Sequence, residues 1–413
     1  MATKLATGIS KGEDSEKVAK EAVSQAKEKL GETQVDLSMV YCSSNYDYQG
    51  IINVVRTYTD KAPLIGCSTA GEFTEDNIGR ESIAVGLISS DEIKFFVAMA
   101  EGVKEDPEIV VRSLANKLPG KVEGYPHLFA ILLIDGLSGV GEEMAVLSSN
   151  IFEQVFVEKV TFVGGAAGDN MQLKKTPVFA EDKVVTNAAS TCLLASKTPL
   201  FTAVKHGHTP FSGPLKITRA KGNVLYEVDG KPAWEVWKEE TAKVAKERGI
   251  YVEKLKATSE IAKFFANYTL GLATEKEGEY KIRWPTSINK DGSLNFACGI
   301  AEGAVFRIMD GSDLEKQIDA VEGAARIARQ SAENAGYSEF AGLLVFDCAV
   351  RQLMLGKRFS ESVERFKKVL PGVPLLGWET YGEINPEGGQ FSGFHNSTSV
   401  TLLLPKGEEK GMR

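Results

Sequence analysis

The stretch PLIGCSTAGEF at residues 63–73 returns near the other end of the chain as PLLGWETYGEI at residues 374–384. Both copies follow the pattern P-L-(I/L)-G-x-x-T-x-G-E. Each is preceded by a helical stretch and, before that, by an apolar run that ends in cysteine. Each is followed by another apolar run. The shared pattern and flanks predict an internally duplicated architecture.

The C-terminal copy contains a β-α-β unit. Residues 343–346 are a continuous apolar run, as expected for a strand buried on both faces. Val363, Phe366 and Leu370 then lie three and four residues apart, which is one face of a helix. A third unit, without the T-x-G-E pattern, is predicted around a helix at residues 141–156. The predicted fold class is α/β: two related domains built from repeated β-α-β units, with mixed sheets and flanking helices.

The domain boundary is predicted near Lys221, where strand-rich sequence gives way to helices. The predicted parts are an N-terminal extension and helix at 1–34, a first domain at 35–221, a second domain at 222–405 and a tail at 406–413. Within the first part, the apolar positions and the closing Gly31 predict an amphipathic helix over residues 15–30.

Charge and cysteine usage argue against several classes of protein. The formal net charge is −8 and no basic stripe is present, which argues against nucleic acid or an anionic membrane as a partner. No signal peptide and no run of apolar residues long enough to span a membrane are visible. The five cysteines lack C-x-x-C spacing, so reduced thiols in a cytoplasm are expected, without a zinc or iron–sulfur framework.

The repeated motif occurs where α/β sheets bind ligands, beyond the carboxyl ends of strands. One interpretation is a tight turn in which threonine and glutamate bind exposed N–H groups. The other is that both loops face one common pocket and supply its polar groups. The second interpretation gives these ligand-binding candidates: Cys67, Ser68, Thr69, Gly71, Glu72, Thr380, Gly382 and Glu383.

Two further places are candidates for binding an anion. Arg351 follows a buried strand, so its guanidinium could clamp a ligand carboxylate, or else pair with Glu383 or Asp347. The run GGAAGD at residues 164–169 could present backbone N–H groups as an anion nest, or be a plain strand-end turn. Its candidate residues are Gly164, Gly165 and Asp169.

Histidine and cysteine leave two alternatives open. His206 and His208 could offer an axial imidazole to haem, or belong to a polar loop, and no C-x-x-C-H motif for covalent haem is present. A cysteine-dependent enzyme is the rival class, but neither repeat contains a histidine that could activate a thiol. No catalytic residue, metal site or required cofactor is therefore predicted.

Several stretches resemble a known family in the order expected. Residues 63–72 and the run FVGGAAGD at 162–169 resemble the FIST N domain. Residues 225–233 (LYEVDGKPA), 346–351 (FDCAVR), 377–383 and 394–398 (FHNST) resemble the FIST C domain. The resemblance covers roughly residues 35–405.

The resemblance implies a function. FIST stands for F-box and intracellular signal transduction, and the family implies a cytoplasmic sensory module that binds a small anionic or amino-acid-like ligand. Because the match leaves no room for an output domain, we expect a free-standing sensor that signals through a separate partner. Some relatives are described as haem proteins that sense nitric oxide, which is the alternative through His206 or His208.

Overall fold

The secondary structure has the β-α-β order that the sequence predicts. The computed structural model describes residues 2–386 and 392–407. Its α-helices are α1 (Ser15–Leu30), α2 (Tyr48–Tyr58), α3 (Pro107–Lys117), α4 (Gly141–Val155), α5 (Ala233–Glu247), α6 (Thr258–Asn267), α7 (Leu314–Asn334), α8 (Ala349–Leu355) and α9 (Phe359–Val369). Its strands are β1 (Lys4–Lys11), β2 (Leu37–Cys42), β3 (Leu64–Ser68), β4 (Glu72–Thr74), β5 (Ile78–Gly79), β6 (Ser82–Ser89), β7 (Ile93–Glu101), β8 (His127–Ile134), β9 (Val160–Ala166), β10 (Val178–Ala180), β11 (Lys183–Val185), β12 (Ala188–Ser196), β13 (Phe201–Lys205), β14 (Thr209–Pro210), β15 (Leu215–Lys221), β16 (Val224–Val228), β17 (Lys231–Pro232), β18 (Tyr268–Ala273), β19 (Tyr280–Arg283), β20 (Pro285–Ile288), β21 (Leu294–Phe296), β22 (Val305–Asp310), β23 (Phe340–Cys348), β24 (Leu375–Thr380), β25 (Glu383–Ile384), β26 (Phe394–His395) and β27 (Ser399–Pro405).

Three sheets of the described chain share one strand pattern. Their orders are β1-β6-β2-β3-β10-β11, β7-β12-β8-β9-β25-β26 and β13-β27-β23-β24-β4-β5. In each sheet the third and fourth strands are parallel and all other neighbours are antiparallel. We call the first four strands of each sheet, with their helices, unit 1, unit 2 and unit 3. The α/β class with repeated β-α-β units is thus confirmed, and the repeat is threefold.

The last two strands of each sheet come from a different unit. The hairpin β4–β5 follows β3 of unit 1 but pairs with β24 of unit 3. The hairpin β25–β26 follows β24 but pairs with β9 of unit 2. The hairpin β10–β11 follows β9 but pairs with β3 of unit 1. Each unit therefore completes the sheet of another unit, in a closed cycle.

The sheets share one core and carry their helices outside it. A central cluster combines apolar side chains from all three sheets, and Tyr41 of unit 1 stacks on Trp378 of unit 3 with ring centroids 5.2 Å apart. On the outer faces, α1 and α2 cover unit 1, α3 and α4 cover unit 2, and α7 and α9 cover unit 3. Each sheet is therefore buried on both faces, which explains its continuous apolar strands.

Aspartates set the starts of several helices. The carboxylates of Asp14, Asp47, Asp106 and Asp313 accept backbone N–H groups in the first turns of α1, α2, α3 and α7. Such caps satisfy N–H groups that have no partner within the helix. Helix α1 ends at Gly31 (φ +82°), as predicted.

Unit 3 is interrupted by an insert. Its first strand, β13, pairs with its last, β27, and the chain between β13 and α7 forms a separate sheet. This sheet contains β14–β22 and packs with α5 and α6 around its own apolar core. We call residues 209–310 the insert.

The three units and the insert do not coincide with the predicted domains. Lys221 ends β15 inside the insert, so it divides no structural unit. The predicted extension and helix belong to unit 1 in the described structure, because β1 pairs with β6 along its whole length. The end of the predicted tail, residues 408–413, lies outside the described residues.

Substitution of Gly164 tests how closely the parallel strands β8 and β9 of unit 2 pack. Its φ is +142°, and a Cβ atom there would lie 2.0 Å from the Leu132 carbonyl oxygen. We expect Gly164→Ala to lower the free energy of unfolding by about 3 kcal/mol or to prevent folding, because backbone cannot move aside cheaply. Gly213→Ala, where nothing lies within 4 Å, should change it by less than about 0.5 kcal/mol. Equal urea midpoints for the two variants would contradict this packing.

Candidate functional site

Glu72 of the first T-x-G-E motif is buried and closes its own turn. Its carboxylate accepts hydrogen bonds from the hydroxyls of Thr69 and Ser82, and from Ser43 Oγ at 3.0 Å. Burial raises its pKa to about 7, although the hydroxyl donors act in the opposite direction. The carboxylate thus ties the ends of β2 and β3 to the start of β6.

Glu383 of the second motif does the same in unit 3. It accepts the Thr380 hydroxyl, and Thr398 Oγ1 at 2.6 Å, so that its turn is tied to the start of β27. Burial raises its pKa to about 8. Both glutamates are fully buried, and neither lines any of four surface clefts of the described chain. The expectation of one pocket shared by Glu72 and Glu383 is therefore corrected, and the tight-turn interpretation describes this geometry.

The other motif residues are buried in the cyclic junction between units. Cys67 faces the central core, and the carbonyl of Ser68 accepts Gly168 N–H at 2.9 Å. A Cβ at Gly71 would lie 2.7 Å from the Glu379 carboxyl, and one at Gly382 would lie 2.1 Å from the Phe394 ring. Gly71 thus lets unit 1 approach unit 3 closely, whereas Gly382 lets the hairpin β25–β26 fold tightly on itself, and all of these residues are buried.

Arg351 forms an internal ion pair. Its Nε lies 2.6 Å from Asp347 Oδ1, and both side chains have no exposed surface. Its Nη1 donates to the Gln317 carbonyl at 3.0 Å, which joins α8 to α7. The proposed carboxylate clamp is thus corrected: of the alternatives, the Asp347 ion pair is what the structure contains. One partner alone would leave an uncompensated buried charge.

The run 164–168 uses its N–H groups internally. Gly164 and Gly165 pair with β25, and Ala166 N donates to the Gly382 carbonyl at 2.8 Å. Ala167 N donates to the Ile134 carbonyl at 2.8 Å. The Gly168 N–H group donates to the Ser68 carbonyl of unit 1, as described above. The anion-nest interpretation is therefore corrected, because these N–H groups already have backbone acceptors.

Asp169 differs, because it organises an exposed loop at residues 169–175. Its Oδ1 accepts Leu173 N at 2.9 Å and the Tyr381 hydroxyl at 2.6 Å, and its Oδ2 accepts Lys175 N at 3.0 Å. The same Tyr381 hydroxyl accepts Met171 N at 2.7 Å. Asp169 is only 1% exposed although the residues it holds are exposed.

The backbone of this loop is strained. Asn170, Met171 and Leu173 have φ values of +55°, +60° and +55°. Met and Leu rarely adopt this region, at a cost of about 1 kcal/mol or more for each residue. The hydrogen bonds to Asp169 and Tyr381 hold the loop in place. Met171 and Leu173 remain 42% and 64% exposed.

The loop forms one wall of a cleft beyond the carboxyl end of β2. This strand-end cleft has a volume of about 550 Å³, within the usual range for small-molecule sites. The start of α2 and the loop before it form the opposite wall, and Gln172 Nε2 bridges the walls by donating to Ser44 Oγ at 2.9 Å. The lining consists of Ser44, Tyr46, Asp47, Tyr48, Gln49, Asp169, Gln172, Lys174, Lys175 and Val184.

Two lysines give the strand-end cleft a positive side. Lys174 and Lys175 are exposed and form no ion pair with a carboxylate of the described chain. The Lys175 ammonium lies 5.9 Å from the centroid of the Tyr48 ring. Among the predicted ligand-binding residues, only Asp169 borders this cleft in the described structure. Lys174 and Lys175 follow Asp169 after four intervening residues, so nothing in the sequence places them beside it.

His206 and His208 do not fit a haem-ligand role. His206 Nε2 lies 2.8 Å from the Tyr280 carbonyl oxygen, and its Nδ1 accepts His208 N. His208 is buried, with Nε2 3.2 Å from the Ala266 carbonyl oxygen. Burial lowers the pKa of His206, and that of His208 to about 3. The loop also packs closely on α7, since a Cβ atom at Gly207 would lie 2.4 Å from the Lys316 carbonyl oxygen.

The cysteines are placed as small core residues. All five are buried as free thiols, and burial raises the pKa of every one. A raised pKa leaves little of the nucleophilic thiolate at neutral pH. Within the described ranges, no group of His, Cys, Asp and Glu has the arrangement of a metal site. None of the described helices is both long and apolar enough to span a membrane.

Two family models match this chain. A model of the FIST N domain matches residues 36–231, and a model of the FIST C domain matches residues 235–386. The chain belongs to the FIST family. FIST domains are associated with sensory signal transduction. The FIST N match ends within the insert, so the family division differs from the division into units.

Relatives of this FIST chain occur in archaea and bacteria. An uncharacterized protein of Methanocaldococcus jannaschii is 25% identical over 362 residues, covering 83% of this chain and 67% of that protein. An uncharacterized protein of Mycobacterium tuberculosis, found in two strains, is 23% identical over 421 residues and covers 97% of this chain and 99% of its own length. The similarity of the mycobacterial protein thus extends over both FIST domains and the insert.

The buried glutamates predict a stability that falls as pH rises. A carboxyl with a raised pKa in the folded state contributes stability that is complete below its unfolded pKa and is lost as pH rises through its folded pKa. With folded values of about 7 for Glu72 and about 8 for Glu383, the loss continues to about pH 8. We expect the free energy of unfolding to fall by about 2–3 kcal/mol between pH 6.5 and 8.5.

Two matched variants test whether ionisation of Glu383, rather than a change in net charge, causes the loss of stability as pH rises. Glu383→Gln, which mimics the neutral acid, should remove more than half of the loss in urea titrations at the two pH values. Glu153→Gln, at an exposed position on α4, should keep the wild-type loss. A stability that is flat or rises across this pH range would contradict the assignment.

Asp169 is predicted to hold its loop against proteolysis. Asp169→Ala removes the acceptor for several backbone N–H groups, so the strained residues can relax. We expect trypsin to cleave after Lys174 or Lys175 at least about tenfold faster, as followed by mass spectrometry, with a loss of about 2–3 kcal/mol in stability. Asp319→Ala on the exposed face of α7 is the control. Cleavage of the Asp169 variant at the wild-type rate would show that other contacts hold the loop.

Proposed function

We propose that this FIST protein is a cytoplasmic sensor that binds a small anionic, amino-acid-like molecule in the strand-end cleft. The observation that carries the proposal is the placement of Lys174 and Lys175 opposite the start of α2 by the loop that Asp169 holds. Two lysines without a carboxylate partner attract a carboxylate, and the nearby helix N-terminus favours the same charge.

The remaining groups of the strand-end cleft suit a polar ligand. The hydroxyls of Ser44 and Tyr48 and the amides of Gln49 and Gln172 offer both donors and acceptors. Asp47 provides a carboxylate that could accept an ammonium group, although its Oδ1 also caps α2 through Gln49 N at 3.2 Å. A molecule with both a carboxylate and an ammonium group satisfies this combination better than a simple anion does.

The same loop provides a route for the signal to a separate partner. Ligand contact with Lys174 and Lys175 acts on the segment that exposes Met171 and Leu173. Because the loop stores backbone strain that Asp169 and Tyr381 hold in place, a ligand that alters these contacts can change how the apolar side chains are presented. We infer that a separate protein reads this change.

Binding rather than catalysis is proposed as the activity. The support is the absence of a low-pKa thiol among the five buried cysteines described above, and the lack of a nucleophile–base pair at the strand-end cleft. A cytoplasm, which keeps thiols reduced, is the proposed location. Haem is not required by this proposal, because the cleft that supports it is polar.

A ligand panel with charge variants tests the proposal. Thermal unfolding should be measured with amino acids, dicarboxylates and amines, because a ligand of the folded state raises the midpoint by mass action. At least one amino acid or carboxylate should raise it, and Lys174→Ala/Lys175→Ala should weaken that binding at least about tenfold in calorimetry.

The control for this experiment matches the change in charge. Lys17→Ala/Lys20→Ala removes two exposed lysines of α1 and should leave the affinity within about twofold. No stabilisation by any carboxylate, or equal binding to both double variants, would refute the proposal.

A further inference from the structure

A second cleft lies where the insert meets unit 3. We call it the inter-lobe cleft, with the insert as one lobe and unit 3 as the other. Its volume is about 720 Å³. Its lining on the insert side comes from the end of α5, the turn that follows it and α6. On the other side it comes from the start of α7 and from Met354 on α8. It is separate from the strand-end cleft, with which it shares no lining residue.

One part of the lining is apolar. Phe264 and Met354 are buried, with 1% and 7% of their surface exposed. Ile250, Leu255 and Leu314 are half-buried, and Tyr251 is 48% exposed at the same cleft. Such a lining stabilises an aliphatic or aromatic body by removing its apolar surface from water.

The polar part of the lining carries positive charge that is only partly neutralised by protein carboxylates. Arg248 is neutralised by Asp310, with Nη1–Oδ1 and Nη2–Oδ2 distances of 3.1 and 2.8 Å. The Glu260 carboxylate accepts the N–H groups of Lys256 and Ala257 at 3.3 and 3.2 Å, before the start of α6.

Two lysines supply the positive charge that is not neutralised. Lys254 and Lys263 form no ion pair with a carboxylate of the described chain, and the Lys254 ammonium lies 4.8 Å from the Tyr251 ring centroid. A ligand anion in the cleft would therefore meet two ammonium groups that no carboxylate of the described chain pairs with, while the Glu260 carboxylate in the same lining accepts backbone N–H groups.

We propose that the inter-lobe cleft binds a small amphipathic anion, with an aromatic or branched aliphatic body and a single carboxylate or sulfonate. The body packs against Phe264, Leu314 and Met354, and the anion lies by Lys254 and Lys263. The ligand contacts both the insert and unit 3, so its binding favours one relative placement of the two. This inference does not depend on the strand-end cleft.

The test uses two fluorescent probes with the same ring system. The first, 8-anilino-1-naphthalenesulfonate, carries an anion, whereas N-phenyl-1-naphthylamine lacks it. We expect saturable binding of the sulfonate to the full chain at one site, and at least about fivefold weaker binding of the neutral probe. Lys254→Ala/Lys263→Ala should weaken sulfonate binding at least about fivefold, and should leave the neutral probe within about twofold.

The control for the lysine double variant removes two positive charges from the insert at positions outside the cleft. Lys243→Ala/Lys246→Ala changes two exposed lysines on α5 that do not line the cleft, and should keep the wild-type affinity. Met354→Ala should weaken the binding of both probes, because it removes apolar contact. A cooperative thermal transition of this variant would show that it is folded.

Three outcomes would overturn the proposal. They are equal loss of sulfonate binding in the two lysine double variants, neutral-probe binding as tight as that of the sulfonate, and sulfonate binding that does not saturate. The second outcome would indicate an apolar docking groove without anion recognition.

Discussion

Backbone hydrogen bonds that pass between the three units are the constraint on which the rest of the structure depends. Ala70 N donates to the Glu379 carbonyl at 3.1 Å, Tyr381 N to the Ala166 carbonyl at 2.8 Å, and Gly168 N to the Ser68 carbonyl at 2.9 Å, closing a cycle. Buried N–H and C=O groups need partners, and at these strand ends only another unit supplies them. The units are consequently parts of one cooperative body.

This constraint explains why the motif is repeated. A strand that leaves one sheet and enters another must turn sharply in a buried place, where an unpaired polar group is costly. Thr69 with Glu72, and Thr380 with Glu383, provide the polar partners for that turn inside the protein. Unit 2 meets the same need differently, because Asp135 accepts the Thr176 hydroxyl there. The shared threonine and glutamate thus serve the junction, and the proposed ligand site consists of residues outside the repeat.

The local elements were predictable because each has a local signal. The apolar face of α1, its closing glycine and the parallel pairing of β23 with β24 follow from nearby residues. The exchange of hairpins does not, since nothing near β4 indicates a partner strand in unit 3. Strand β1 was missed because its sequence, KLATGISK, is too rich in small and polar residues to look like a buried strand. In the candidate site, Asp169 was found through its motif. Lys174 and Lys175 were missed because the left-handed backbone of Met171 and Leu173 has no local sequence signal.

The exchange of hairpins also determines when the chain can finish folding during synthesis. Phe73 of β4 packs edge-on against Phe359 at a centroid distance of 5.6 Å, and Glu75 accepts Leu375 N from 300 positions further along. The edges of β3 and β9 stay open until β10 and β25 have emerged from the ribosome. Open edges invite pairing with other chains, so the nascent protein is exposed to such pairing until unit 3 has been translated. For this chain, the threefold cycle can close only after β24 and β25 have been synthesised, whatever the order in which its helices form.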